Sequence, residues 1–295
     1  MTLVDVVVVS YNSLDELRVC VEPLSRLEDV NVIVVDNASS DGSLESVTDL
    51  PVTAIALGAN GGFAHGCNEG WRAGGSPYVL LLNPDARIDA ISLRTLAAVL
   101  DADPTVGAVA PRIVDAAGEL DHSQRREPRL RSTYAQAFFL HRLFPRAGWT
   151  DELVRDPVAY ERPGSPEWVS GAALMLRRDV LAELDGLDEG FFMYGEDIDL
   201  CRRLRAAGHG LRFEPAATVV HAGGASAPRP ALLPVLASSR LRYAAKHRGR
   251  TVAALERLGI ALGAATHALV GRGGLSERRG HARALRLALS HRPQN

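Results

Sequence analysis

Tyr78-Val79-Leu80-Leu81-Leu82-Asn83-Pro84-Asp85-Ala86 is the stretch on which the fold of this 295-residue chain turns. Consecutive apolar residues cannot alternate between a wet and a dry face, so residues 79–82 read as a strand buried on both sides, as inside a parallel sheet. The run stops at Asn83-Pro84-Asp85, where a proline stiffens the chain and a carboxylate is presented at the strand's carboxyl end. Open α/β sheets bind their ligands at that end. Pro and Asp are also ordinary turn formers, so the triplet alone leaves a plain turn open.

Upstream, residues 5–10 form a β-branched run of the same buried type, ending at Tyr11-Asn12. Ser13 with Glu16 has the form of a capping box, and Leu14, Leu17, Val21 and Leu24 follow at helical spacing. Residues 30–35 read as a second strand, ending in Asp36-Asn37-Ala38-Ser39-Ser40-Asp41-Gly42-Ser43. Strand, helix and strand with short loops predict a parallel βαβ unit. The Asp36 loop is rich in groups that chelate ribose hydroxyls or bind a base edge, and equally rich in turn formers. No Gly-x-Gly-x-x-Gly follows the first strand, which disfavours a dinucleotide and leaves a mononucleotide open. A third short strand, residues 52–57, leads into residues 58–70, whose five glycines let backbone amides approach a diphosphate as a helix begins.

Downstream, Ser92 stands where it would cap a helix over residues 93–100, and residues 106–110 read as a strand closed by Pro111. Residues 112–165 carry Arg125-Arg126-Glu127-Pro128, Phe138-Phe139, Phe144 and Trp149, and read as an irregular excursion that covers a site or binds a partner. Regular structure returns with an apolar strand near residues 168–178. In Glu196-Asp197-Ile198-Asp199-Leu200-Cys201 the acids fall in a first helical turn, where the macrodipole stabilises carboxylates. First-turn acids opposite Arg202 and Arg203 are the plainer account of the same residues. His221 closes a strand-like segment before a glycine turn, where a metal or phosphate contact is one use of it.

Composition is that of a globular protein, with 46% hydrophobic and 23% charged residues. The net charge of -2 hides an asymmetry: from Arg240 onward twelve Arg and Lys face two acids, a net +10 on an otherwise acidic chain. Such a tail suits an anionic surface, and the lack of interleaved aromatics favours lipid headgroups; no nucleic-acid partner is expected. Cys20, Cys67 and Cys201 have no paired or metal-like spacing and read as reduced thiols of a cytoplasmic protein. No signal peptide and no uninterrupted apolar run of about 20 residues is apparent, so no membrane span is expected.

Taken in order over residues 4–226, these segments resemble glycosyltransferase family 2, the inverting nucleotide-sugar transferases of GT-A fold, and within it the rhamnosyltransferase-like bacterial branch. The matching pieces are Val8-Val9-Ser10-Tyr11-Asn12, the run from Val35 to Ser43, and Asn60-Gly61-Gly62-Phe63-Ala64 with Asn68. They continue through Leu82-Asn83-Pro84-Asp85, Gly171-Ala172, the acidic segment from Glu196 with Arg203, and His221 with Gly224 and Ser226. The resemblance implies an α/β fold with a single Rossmann-like, mixed, mostly parallel sheet flanked by helices over residues 1–230, and a helical, basic appendage over 231–295.

It further implies that Ser10, Tyr11, Asn12, Asp36 and Asn37 line a nucleoside pocket, and that Gly62, Phe63 and Asn68 face the ribose or diphosphate. Asp85 corresponds to the surviving acid of the family's Asp-x-Asp motif; Asn83 holds the first position, where an amide is the weaker ligand. Mg²⁺ or Mn²⁺ is the implied cofactor, with Asp85 and His221 as its candidate protein ligands. Asp197 takes the position of the general base, and Trp168, Gly171, Glu196 and Arg125 are acceptor-side candidates. The implied reaction carries a sugar from a nucleotide donor to a saccharide or polyprenyl-linked saccharide. The donor of first choice is dTDP-L-rhamnose, with UDP-galactofuranose or another UDP or GDP sugar as alternatives. A non-catalytic nucleotide-sugar binding module is the competing class. Residues 232–246 and 251–270 read as helices, either a peripheral contact on the inner face of the cell membrane or a pair packed on the body or in a homodimer interface.

Overall fold

All seven residues of β1 (Val4–Ser10) are buried, as a strand covered on both faces requires. The computed structural model describes residues 3–223, 229–271 and 274–290. Gly224 and Ser226, which carried part of the resemblance, and Arg272 and Arg292, two of the twelve basic residues counted from Arg240, lie outside the described residues. After β1 come α1 (Leu14–Ser25), β2 (Val30–Asp36), β3 (Thr53–Ala56), α2 (Phe63–Ala73) and β4 (Tyr78–Leu82). Then follow β5 (Ala86–Ile88), α3 (Ala90–Ala102), β6 (Val106–Val114), β7 (Leu120–Asp121) and β8 (Gln124–Arg125). Next are α4 (Leu130–Ala137), α5 (Leu140–Leu143), β9 (Trp168–Val169), β10 (Ala173–Arg177), α6 (Arg178–Glu183) and α7 (Glu196–Ala206). The chain continues through β11 (Gly210–His221), α8 (Arg229–His247), α9 (Arg250–Val270) and α10 (Leu275–Ser290).

The main sheet has the order β3-β2-β1-β4-β10-β6-β11-β5, with β7 paired to β6. β3, β2, β1 and β4 are parallel neighbours, β10 enters antiparallel between β4 and β6, and β11 runs parallel to β6. This is the single mixed sheet of the GT-A type. Val4, Val6 and Val8 join one core with residues of α1 and α3, while Val7 and Val9 join a second core with residues of α2, α6 and α7. All three cysteines are free and buried, and burial pushes the Cys20 and Cys201 thiols up to about 12.

Several local expectations are corrected. Ser13 makes no side-chain cap on α1; the Asp41 carboxylate accepts from Leu14 N at 3.1 Å instead, so the helix is capped from the loop after β2. Asp89, not Ser92, caps α3, while Ser92 Oγ accepts from Thr218 N at 3.0 Å. Pro111 does not close β6, because β11 shifts register between Glu214 and Thr218 beside it, where proline has no N–H to give.

By its internal contacts the chain forms two units: Met1–Arg125, Asp156–Gly190 and Glu196–Ser226 make one, and Arg126–Arg155, Phe191–Gly195 and Ala227–Asn295 the other. The second unit therefore starts well before residue 231, and much of the supposed irregular excursion folds with the C-terminal helices. Thr133 Oγ1 on α4 donates to the buried Glu256 carboxylate on α9, and Thr266 Oγ1 donates to Ala137 O at 2.7 Å. Small residues let α8, α9 and α10 pack closely, with Ala237, Ala264 and Ala284 sharing one core. Arg240 forms a bidentate pair with the buried Glu152.

At the amino ends of the parallel strands Asp5 is fully buried. Its carboxylate accepts from Ser76 N at 2.9 Å, Ser76 Oγ at 2.8 Å, Asn31 Nδ2 at 2.9 Å and the Arg178 guanidinium. Removing one member of a buried pair leaves the other uncompensated. Asp5→Ala is expected to lower unfolding stability by about 3–5 kcal/mol in urea titration, in line with other broken buried pairs.

Candidate active site

The register pairs Ser10 with Asp36 and Val8 with Leu82, so the carboxyl ends of β1, β2 and β4 open along one edge. Two loops at this edge are clipped together. Asn12, at φ 50, donates its N–H to Ser39 Oγ and accepts from Ser40 N at 2.9 Å, while Ser43 Oγ accepts from Ser13 N at 2.8 Å. Asn tolerates that left-handed backbone because its short polar side chain bonds locally. Tyr11 lies exposed beside it. Beneath the clip, Asp36 Oδ2 accepts from Ser39 N at 2.9 Å, but Asp36 Oδ1 and Ser10 Oγ are buried without a hydrogen-bond partner. Buried polar atoms in folded proteins are nearly always paired, so an acceptor oxygen and a hydroxyl left open here fit a ligand's N–H or O–H groups.

The glycine loop stands beside the same edge. Asn37 is buried and holds it from within, Nδ2 donating to Gly62 O and Oδ1 accepting from Gly61 N, each at 3.0 Å. Gly62 has φ 91, a conformation side chains rarely adopt, and directly precedes α2. Asn68 serves differently from the ribose or diphosphate contact expected of it. Its amide donates to Leu187 O and Glu189 Oε1, both at 2.8 Å, and accepts from Leu187 N at 2.9 Å and Trp71 Nε1 at 3.1 Å. That uses all four of its hydrogen bonds inside the protein, making Asn68 the anchor of residues 187–189. Glu189, which no motif reading singled out, also faces His65 Nδ1 at 2.9 Å.

Asn83-Pro84-Asp85 forms a turn, and its side chains meet a histidine across the sheet edge. Ala86 N donates to Asn83 O at 3.1 Å, closing a β-turn with proline in its favoured place. Because β5 pairs with β11, Ala86 lies opposite His221, and Asp85 Oδ1 is 3.2 Å from His221 Nε2. Asn83 Nδ2 is 3.3 Å from that same nitrogen. Asp121, on β7 and unmarked by any motif, is 3.9 Å from His221 Nδ1, close enough for charge attraction and too far for a hydrogen bond. Asp121 and Asp85 together hold the imidazole up to about 9 against the opposing pull of burial.

A divalent cation fits this corner as a partial site. No group of three His, Cys, Asp or Glu converges on one point among the described residues. Mg²⁺ and Mn²⁺ are served by one or two protein carboxylates with phosphate and water completing the shell, so Asp85 matches that demand, and His221 would join it only as the neutral imidazole, once a cation displaces its proton.

On the other side, β10 starts where β4 ends, and Asn83 N donates to Ala172 O at 2.9 Å. The Asp197 carboxylate accepts from Gly171 N at 3.2 Å and from Ile198 N at 2.8 Å. A Cβ on Gly171 would stand 3.9 Å from the Phe63 ring, so the start of α2 and the start of α7 meet over that glycine. β8 pairs with β9, and Arg125 lies over the Trp168 ring at 5.6 Å, with Arg125 Nε buried and unpaired. Gly171 follows two residues after β9. Arg125 and Trp168 are thus joined to each other shortly before Gly171, and Gly171 itself meets Asp197. Asp199 is buried against Arg203, whose guanidinium also donates to Leu184 O and Gly186 O, so α7 is fixed to the turn before it.

Glu196 is buried with Oε2 unpaired, and burial first, then the neighbouring Asp197 charge, drives its pKa well above the ordinary 4.5. The pair thus places one acid in the interior, where its charged form is disfavoured, beside a second, half-buried carboxylate at the edge.

Residues 5–154 match glycosyl transferase family 2. The chain belongs to this family. A Mycobacterium tuberculosis protein, N-acetylglucosaminyl-diphospho-decaprenol L-rhamnosyltransferase, is 34% identical over 206 residues, covering 65% of this chain and 66% of that protein, just under two thirds of its length. Rhamnosyltransferase WbbL of Escherichia coli strain K12 is 27% identical over 231 residues, covering 74% of this chain and 83% of that one. Among solved structures, mannosyltransferase PcManGT from Pyrobaculum calidifontis, in complex with GDP-Man and Mn²⁺, has a TM-score of 0.58 at 19% identity. It covers 97% of this family 2 chain and 87% of its own, a likeness of fold.

The Glu196 environment has a measurable consequence. Its folded pKa lies above the unfolded value of 4.5, so its contribution to stability is complete below 4.5 and is lost as pH rises toward the folded value. Glu196→Gln keeps the shape and removes the proton, and is expected to flatten that decline. Urea unfolding at steps from about pH 5 to about pH 8 compares the two slopes.

Proposed function

We propose that this family 2 chain is an inverting glycosyltransferase that moves a sugar from a nucleoside diphosphate to a hydroxyl of a saccharide or polyprenyl-linked saccharide. The observation that carries the proposal is the Asp197 carboxylate, next to a buried Glu196 whose pKa is raised, and facing Gly171 on the edge where Asp36 Oδ1 and Ser10 Oγ lie buried and open. Ser10 and Asp36 bind the nucleoside, and the loop held by Asn37 lays backbone amides against the diphosphate. Asp85 and His221 would hold a divalent cation, which when bound neutralises the charge gathering on the leaving diphosphate. Asp197 takes the proton of the acceptor hydroxyl as its oxygen attacks the anomeric carbon. The bond from that carbon to the diphosphate oxygen breaks, its electron pair leaves with the nucleoside diphosphate, and one displacement inverts the centre. Trp168 and Arg125 offer a stacking face and a cation to the acceptor sugar.

The donor of first choice is dTDP-L-rhamnose, supported by the two rhamnosyltransferases among the relatives. A thermal-shift panel of dTDP, UDP and GDP sugars, with and without Mn²⁺, tests it, since a ligand bound by the native state raises stability by mass action. A larger shift with a UDP or GDP sugar would overturn the rhamnose assignment.

Asp197→Asn should lower kcat by roughly 10²–10⁴, the usual contribution of a general base, while donor binding persists. Isothermal titration with the donor separates the two, and an equal loss of affinity and rate would contradict the base assignment. Asp85→Ala should make the donor-induced thermal shift insensitive to Mn²⁺; a shift that still grows with Mn²⁺ would remove Asp85 from the metal site.

A further inference from the structure

The helical unit carries an apolar face that the proposed transfer does not use. α5 and its flanks expose Phe138, Leu143, Phe144 and Trp149, with Leu143 at 70% exposure and the Phe144 and Trp149 rings 6.1 Å apart. The end of α9 lies beside them: the Phe139 and His267 rings are 4.3 Å apart, and Thr266 donates to Ala137 O. One turn on, Leu269 and Val270 are 74% and 67% exposed. These side chains extend from neighbouring backbone around one end of the unit. Exposed apolar residues scattered singly are normal, but a contiguous group marks an interaction surface.

Charge decides the partner. Residues 128–150 contain Arg129, Arg131, Arg142 and Arg146 and no acid, and residues 257–276 contain no acid either. Arg142 and Arg146 are exposed within the face, and the Arg142 guanidinium lies 4.5 Å from the Phe139 ring centroid. A two-fold contact with a second copy sets the same patch against itself, and here that would oppose arginines to arginines. Aromatic and aliphatic groups rimmed by arginine match the interfacial zone of an anionic bilayer, with each basic residue adding about 1 kcal/mol near such a surface.

Spanning is a different arrangement. α9 is long and apolar enough, by length and composition alone, to cross a membrane. It also buries Glu256 against Thr133 and packs between α4, α8 and α10, contacts a spanning helix would have to give up. We propose that the α5 face, with the end of α9, docks peripherally on an anionic lipid surface. Docking needs neither donor nor acceptor, so it stands apart from the proposed transfer.

The test is flotation of the full chain with phosphatidylcholine vesicles, with and without added phosphatidylglycerol, together with quenching of tryptophan by brominated lipid. The chain should float with the anionic vesicles and lose that binding in high salt. Quenching should fall in Trp149→Phe, because Trp149 is the tryptophan on the face. Phe144→Ser with Leu143→Ser should reduce binding at least about tenfold, and Arg142→Ser and Arg146→Ser roughly fivefold each. These side chains are exposed, so circular dichroism and thermal unfolding should be unchanged; Leu269→Ser on α9 gives an independent variant of the same face. Absence of flotation, flotation untouched by all of these substitutions, or a dimer in solution that they dissociate without any vesicle binding would each overturn the proposal.

Discussion

A strand covered on both faces has no place for an open polar side chain until it leaves the sheet. That constraint governs where polar side chains leave the sheet in this protein. β1, β2 and β4 run the same way in register, so Ser10, Asp36 and Asn83 emerge along one edge. Antiparallel β10 begins at that edge, following Gly171, and the pairing of β11 with β5 returns His221 to Asp85 across 136 positions of sequence. Asp5 supports the rule from within. The one charged residue inside β1 is buried at the opposite end and requires Ser76, Asn31 and Arg178 to accommodate it.

β1, β2 and β4 and their carboxyl ends were legible in the sequence because both-face burial writes itself as uninterrupted apolar runs, whereas β6 runs on past Pro111 and the short β5 and β7 carry no such run. Val79 to Leu82 and the valines of β1 have no other economical arrangement. The direction of β10 was not legible, since an antiparallel neighbour buried on both faces carries the same kind of run. Caps were misread for a physical reason: Ser13 has the right residue type, but Asp41 and Ser43 arrive from another loop and satisfy the helix start first. A local pattern cannot register a competitor supplied by tertiary structure. Residues 126–155 escaped in the same way, because α4 and α5 are short and acquire their partners only from α9, more than a hundred residues on.

Within the candidate site, a residue's type does not say whether it meets a ligand or braces the protein. Asn68 belongs to the region, yet its amide is saturated by Leu187, Glu189 and Trp71, so it acts by holding a turn. Asn37 likewise serves by fixing the glycine loop. An amide can bind a ligand or brace a loop with the same atoms, and only its partners distinguish the two. Asp121 left no signal at all, since a lone acid on a two-residue strand resembles any surface carboxylate.

The acids that open α7 show how neighbouring carboxylates avoid one another. Were Glu196 and Asp197 both ionised, their repulsion would raise both pKa values and weaken the case for a base that is charged at neutral pH. Burial eases that conflict by pushing the Glu196 pKa up and so disfavouring its charged form. Asp197 meanwhile accepts from Gly171 N and Ile198 N at the amino end of a helix, where N–H dipoles favour its ionised form. In the proposed transfer Asp197 must be free of its proton before it meets an acceptor hydroxyl, and disfavouring charge on Glu196 lessens the repulsion against that state.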